Sequence, residues 1–294
     1  MTRFAAAAAL AAILGLAPCC ASASASFQEL LARPRPAPDA HIAYGKDALQ
    51  YGDLYLPKGA GEHAVIVLIH GGCWLGALPG PELMDPMVEP LRAQGFAVWN
   101  VEYRRIGQKG GGYPGTFLDT AAAIDELRAI APRYRLDLSH VVLVGHSAGG
   151  HLAAWAAARP RIAKTSALYA KTPLAIRGVV SLSGILDLQS YRATGPSACG
   201  GPATIDAIAG RHGDPYADTS PARLLPVGVP ETILSGGSDR IVPPPFGHDY
   251  AAKAKAAGDA VRDIEIPGAG HFDMIDPLSP AWPAIAAAIE KAAE

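Results

Sequence analysis

The chain has 294 residues, half of them hydrophobic (50%), and a net charge of −2 at pH 7. That length suits one α/β domain with insertions, and the apolar content is ample for a sizeable core. No run of like charges occurs, which argues against nucleic acid or an anionic membrane surface as a partner.

The first residues read as an export signal. Met1-Thr2-Arg3 is a short positive start, Phe4 to Leu16 an Ala/Leu stretch, and Ala21-Ser22-Ala23 or Ala23-Ser24-Ala25 a small-residue cleavage site. The apolar run falls short of the ~20 residues that span a bilayer, so no stable membrane insertion is expected. Residues 1–23 are therefore assigned as a signal peptide, and the mature chain as periplasmic or secreted. Pro18 before Cys19 fits poorly with a lipidation signal. Loss of Arg3 on cleavage takes the charge from −2 to −3. Cys73 and Cys199 remain, and an exported protein could pair them. Their spacing does not decide, and free buried thiols are the expectation.

Residues 24–50 read as an extended leader, Pro-rich from Ala32 to Pro38. Asp53-Leu54-Tyr55-Leu56 reads as an antiparallel strand at a sheet edge. Strands are then predicted at 65–69, 96–101, 141–144, 178–183, 232–234 and 261–266. Between them lie helical faces formed by Phe117, Ala121, Ile124 and Leu127, by Leu152 to Ala158, and by Trp282, Ile285 and Ile289. Alternation of strand and helix predicts a mostly parallel sheet covered on both faces, spanning 51–294. Residues 184–230 break the rhythm with Gly, Pro and Ser and read as a modest cap. Gly110 to Gly115 spells G-x-G-x-x-G, but it does not directly follow a strand and Pro114 interrupts it. No zinc spacing occurs, so neither cofactor nor metal is expected.

The chemistry concentrates at Gly145-His146-Ser147-Ala148-Gly149, where Val141-Val142-Leu143-Val144 gives way to a helical run. A serine on such a strand-to-helix turn projects its hydroxyl above the sheet edge. It needs a base and an orienting carboxylate, which this architecture supplies in the order Ser, Asp or Glu, His. Asp239 follows the strand at 232–234, and His271 follows the strand at 261–266 through a Gly-rich loop. Asp273 and Asp276 are rivals for the acid, but they lie too near the histidine in sequence. The other histidines precede or adjoin the serine, or, like His212 and His248, sit in irregular or helical segments. Ser147, His271 and Asp239 are thus the candidate triad. Gly71 and Gly72, after the strand at 65–69, and the N–H of Ala148 are the candidate oxyanion hole. Trp74, His146 and the cap are candidate walls of a substrate pocket.

These residues resemble the α/β-hydrolase superfamily, and within it the branch with a His-Gly-Gly-x-Trp loop: kynurenine-formamidase-like proteins and bacterial carboxylesterases. Tyr103-Arg104-Arg105, Tyr113-Pro114-Gly115-Thr116-Phe117 and Asp119 carry the likeness further. Cys73 stands where lipase-type loops have a third glycine. The resemblance implies a serine esterase acting on a small carboxylic ester. An arylformamidase and a non-catalytic binding protein on the same fold are the alternatives. The sequence sets no oligomeric state.

Overall fold

Val65 to Ile69 and Val141 to Val144 are continuous runs of fully buried residues, and they lie side by side at the centre of one eight-stranded sheet. The computed structural model describes residues 25–210 and 213–294. The expected signal peptide, Cys19, Arg211 and His212 lie outside the described residues.

The strands are β1 (Ala40–Ala43), β2 (Tyr51–Tyr55), β3 (His63–Ile69), β4 (Ala97–Val101), β5 (Leu136–His146), β6 (Gly178–Leu182), β7 (Glu231–Gly236) and β8 (Val261–Ile266). Their order is β1-β2-β4-β3-β5-β6-β7-β8. β2 runs antiparallel to both neighbours, and every pair from β4 to β8 is parallel. The helices are α1 (Phe27–Leu31), α2 (Asp85–Ala93), α3 (Gly115–Asp125), α4 (Leu127–Tyr134), α5 (Ala148–Ala157), α6 (Leu188–Thr194), α7 (Pro202–Ala209), α8 (Pro244–Ala256) and α9 (Trp282–Ala293).

Side chains along a strand alternate between faces, so each central strand feeds two apolar layers. Val65, Val67 and Ile69 of β3 join Trp99, Phe117, Trp155 and Tyr250 on one face. Ile66 and Leu68 join Met87, Leu91, Ile285 and Ile289 on the other. This is the doubly covered, mostly parallel sheet of the α/β-hydrolase fold. The C-terminal ends of β3, β5, β7 and β8 share one edge, where open α/β sheets place their ligands.

Two local expectations are corrected. The edge strand is β1, and the early strand pairs inside it as β2. β1 escapes sequence reading because Ala-His-Ile-Ala is short and half exposed, with no apolar run. The leader is also not uniformly extended. Ser26 and Glu29 close a capping box that starts α1, and Leu30 of that helix is buried. The 184–230 segment carries α6 and α7, two short helices packed on each other. Among the described residues no helix is long and apolar enough to cross a membrane.

Candidate active site

Ser147 sits between the last residue of β5 and the first of α5 with φ 55° and ψ −119°, a conformation L-residues rarely adopt. The turn closes because its flanks are glycines. A Cβ on Gly145 would lie 2.1 Å from the Gly149 carbonyl oxygen, and one on Gly149 would lie 2.0 Å from that of Ile69. The Ser147 N–H donates to Leu182 at 2.9 Å, which ties the elbow to β6. Ala148 opens α5, so its N–H has no intrahelical acceptor.

Asp239 and His271 meet above the same edge. The His271 Nδ1–H donates to Asp239 Oδ2 at 2.7 Å, and the other carboxylate oxygen accepts the N–H groups of Ile241 and Val242 at 2.8 and 2.9 Å. Burial raises the Asp239 carboxyl, but the His271 hydrogen bond and charge, with the backbone donors, outweigh it and hold the group below its usual range. The rival acids are occupied elsewhere. Asp273 accepts the N–H groups of Gly270 and Ala25 at 2.6 and 2.9 Å, and Asp276 pairs with Arg33.

Ser147 and His271 line one cavity of about 240 Å³. No Ser147–His271 hydrogen bond is among the contacts of the described residues, and catalytic pairs in ligand-free sites are often looser than in the reacting complex. The cavity is mostly apolar, with Phe27, Leu78, Leu83, Ile241 and Phe272 in its walls. None of these five was singled out by the sequence. Phe272 adjoins His271, but the others carry no local signal.

The loop after β3 is pinned from behind. His70 is fully buried, stacked on the Tyr103 ring with centroids 4.3 Å apart. Its Nδ1–H donates to the Gly71 carbonyl at 2.8 Å and its Nε2 meets Glu102 at 3.0 Å. Both ring nitrogens thus meet oxygen atoms, which fixes the orientation of the ring. Glu102 also receives the Arg105 guanidinium at 2.9 Å, and Arg105 in turn donates to the Leu78 carbonyl at 2.8 Å. In a trans peptide the N–H points opposite the C=O. Holding the Gly71 carbonyl toward His70 therefore turns the Gly72 N–H the other way.

Gly72, with φ 95°, and Cys73 line the cavity; Gly71 does not. Gly71 instead packs behind the elbow, where a Cβ would lie 3.1 Å from that of Ser147. Trp74 is corrected from pocket wall to core. It is fully buried in the apolar layer, edge-on to His151 at 5.2 Å. His146 does line the cavity. The expectation of free thiols is also overturned, because Cys73 and Cys199 form a disulfide across 126 residues. It fastens the cap to the loop that carries Gly72. Arg104 and Asp119, from the Tyr-Arg…Asp segment, form a two-bond pair at 2.7 and 2.8 Å that braces the chain entering α3.

Residues 52–253 match the BD-FAE family. The chain belongs to that family. This BD-FAE chain is also 26% identical over 248 residues to Esterase LipC of Mycobacterium tuberculosis (strain ATCC 25618 / H37Rv), a match covering 80% of the chain and 60% of the relative. The chain thus spans about three fifths of that relative's length. Among solved structures it resembles Esterase B from Lactobacillus Rhamnosis (HN001), at TM-score 0.75 and 20% identity over 91% of this chain and 90% of that one. It also resembles in fold the thermophilic esterase Est2 of the planctomycete Thermogutta terrifontis, solved with butyrate bound, at TM-score 0.68 and 22% identity over 87% and 92% of the two chains. These likenesses carry the α/β-hydrolase assignment; they make no link to kynurenine formamidases.

Proposed function

We propose that this BD-FAE chain is a serine hydrolase of small carboxylic esters. The observation that carries the reading is the buried Asp239–His271 pair, whose imidazole lines the same apolar cavity as the strained Ser147. Ser147 Oγ attacks the ester carbonyl carbon while His271 Nε2 takes its proton, and Asp239 holds the imidazole with Nδ1–H inward. The tetrahedral oxyanion is met by the N–H groups of Gly72 and Ala148. The Cys73 N–H takes the place first given to Gly71, because Cys73 lines the cavity and Gly71 does not. His271 then protonates the leaving alcohol, and the acyl-enzyme is cleared by a water that His271 activates.

Support for an ester over an N-formyl amide comes from the cap. A site for an amino-acid head should present a fixed cation to its carboxylate. The described cap arginines are already taken: Arg192 bonds Asp206 at 2.9 Å and Arg223 bonds Asp214 at 2.7 Å. Butyrate bound in Est2 is in keeping with a short acyl group. Acetyl to butyryl esters should therefore exceed N-formylkynurenine in kcat/KM by at least roughly tenfold, about 1.4 kcal/mol in transition-state binding. Equal or better turnover of the formamide would replace the ester reading with an arylformamidase.

Export belongs to the same proposal, on the strength of the Arg3, Phe4–Leu16 and A-x-A pattern. Protein made in an exporting host should have an intact mass that begins at Ser24 or Ser26. A soluble cytosolic form retaining Met1 would overturn it.

A further inference from the structure

Phe27 stands at the far end of the sequence from His271, yet both line one cavity. The segment that brings it there is clamped on both sides of Phe27, to residues that follow Phe272. The Ala25 N–H donates to Asp273 at 2.9 Å, and Arg33 pairs with Asp276. Between these anchors, Leu30 is buried in the apolar layer beside Leu83, Met87 and Ile275. The Phe27 ring packs against Phe272 with centroids 5.8 Å apart, and Phe272 lies 5.3 Å from the His271 ring. Five consecutive helical residues could not hold such a position unaided. The contacts fix α1 as a wall, not a tail.

The cavity is small. Its volume of about 240 Å³ falls below the roughly 300–1,000 Å³ of ordinary small-molecule sites. Phe27 and Phe272 supply its two aromatic rings besides the histidines, and Leu83 stands beside them. A hydrocarbon chain leaving the reacting carbonyl gains from each methylene it buries against such surface. It stops gaining where a ring blocks the way.

We infer that Phe27 is a specificity-determining residue: the α1 wall limits the length of the hydrocarbon substituent the site accepts. The inference rests on the ester-hydrolase reading for its substrate and on the wall geometry for its mechanism. It makes the start of the mature chain part of the pocket: either expected cleavage site leaves Phe27, the buried Leu30 and the Arg33–Asp276 pair in place, and a start at Ser24 also keeps the Ala25–Asp273 bond.

The test uses the full mature chain and compares Phe27→Ala and the gentler Phe27→Leu with wild type. One arm follows kcat/KM over p-nitrophenyl esters from acetate to decanoate, the other over acetate esters of unbranched alcohols. Each newly admitted methylene is worth about fourfold in kcat/KM, so the octanoyl-to-acetyl ratio, or its alcohol counterpart, should rise at least roughly tenfold in Phe27→Ala. Phe27→Leu should move it the same way by less, and Gln28→Ala, an exposed change on the same helix, should leave it unmoved. A ratio moved in either arm supports the wall and tells which side of the ester it meets. A uniform loss with both ratios unchanged would overturn it. Calorimetric binding of unbranched carboxylates of graded length separates the two readings. A longer binding limit in Phe27→Ala without ester turnover would keep the wall and discard the esterase. Ester turnover with neither ratio nor binding limit changed would do the reverse.

Discussion

His146 donates its Nε2–H to the backbone carbonyl of His271, 3.0 Å away, so the residue before the nucleophile holds the loop that carries the base. The two rings lie 4.4 Å apart. A carbonyl can only accept, which fixes the His146 tautomer and leaves its Nδ1 without a partner among the described residues. Burial, aided by the His271 charge, pushes the His146 pKa down to about 3. The clamp is therefore neutral throughout the range in which an esterase works.

That depressed value sets a pH dependence. The unfolded chain takes up a proton on His146 near pH 6.5, whereas the folded chain resists until about pH 3. Stability tied to this group is full above pH 6.5 and is lost as pH falls through that window, by about 2 kcal/mol between pH 6.5 and 5. His146→Gln keeps a donor but cannot titrate. Denaturant titrations should give a shallower loss of stability for His146→Gln than for wild type over pH 6.5 to 5. Parallel curves would show that the buried ring is not the source.

His248 behaves with the opposite sign. Its ring nitrogens meet Asp263 at 2.9 Å and Glu265 at 3.0 Å, and these hydrogen bonds raise its pKa. The resulting stabilisation is present below pH 6.5 and disappears as pH rises through the raised folded value. The side chain is 38% exposed, so solvent screening keeps the effect under about 1 kcal/mol. His248→Ala should lower Tm at pH 6 and leave it nearly unchanged at pH 9.

The disulfide couples stability to the site. It closes a loop between the Gly72 turn and the cap, and breaking such a link should cost about 2–5 kcal/mol. Thiol titration of the native, unreduced mature protein should find neither Cys73 nor Cys199 free. Cys199→Ala should lower both Tm and kcat, because Cys73 lines the cavity. Two titratable thiols in protein from an oxidising compartment would contradict the pairing.

Much of this arrangement was legible in the sequence where a local signal sufficed. Buried runs such as Val65 to Ile69 announce the parallel strands. The glycines around Ser147 announce a turn that tolerates no Cβ, and chain order singles out Asp239 and His271. What escaped depends on distant contacts. β1 is a strand because β2 offers it an edge, not because of its own pattern. Trp74 looks like a pocket residue from its place after Gly71-Gly72, but the positive φ values of 52° at Cys73 and 57° at Trp74 turn its side chain into the core. Cys73 and Cys199 carry no spacing rule. Phe27 joins the cavity through Asp273 and Asp276, acids that sequence reading weighed only as triad candidates.

The most direct test of the account is a cycle on Ser147 and His271, using kcat on a short acyl ester. Ser147→Ala and His271→Ala should each lower kcat by roughly 10⁴-fold or more, and the double variant should be little worse than either. Asp239→Asn should cost somewhat less. Losses that multiply in the double variant, or full activity in Asp239→Asn, would contradict a Ser147–His271–Asp239 unit.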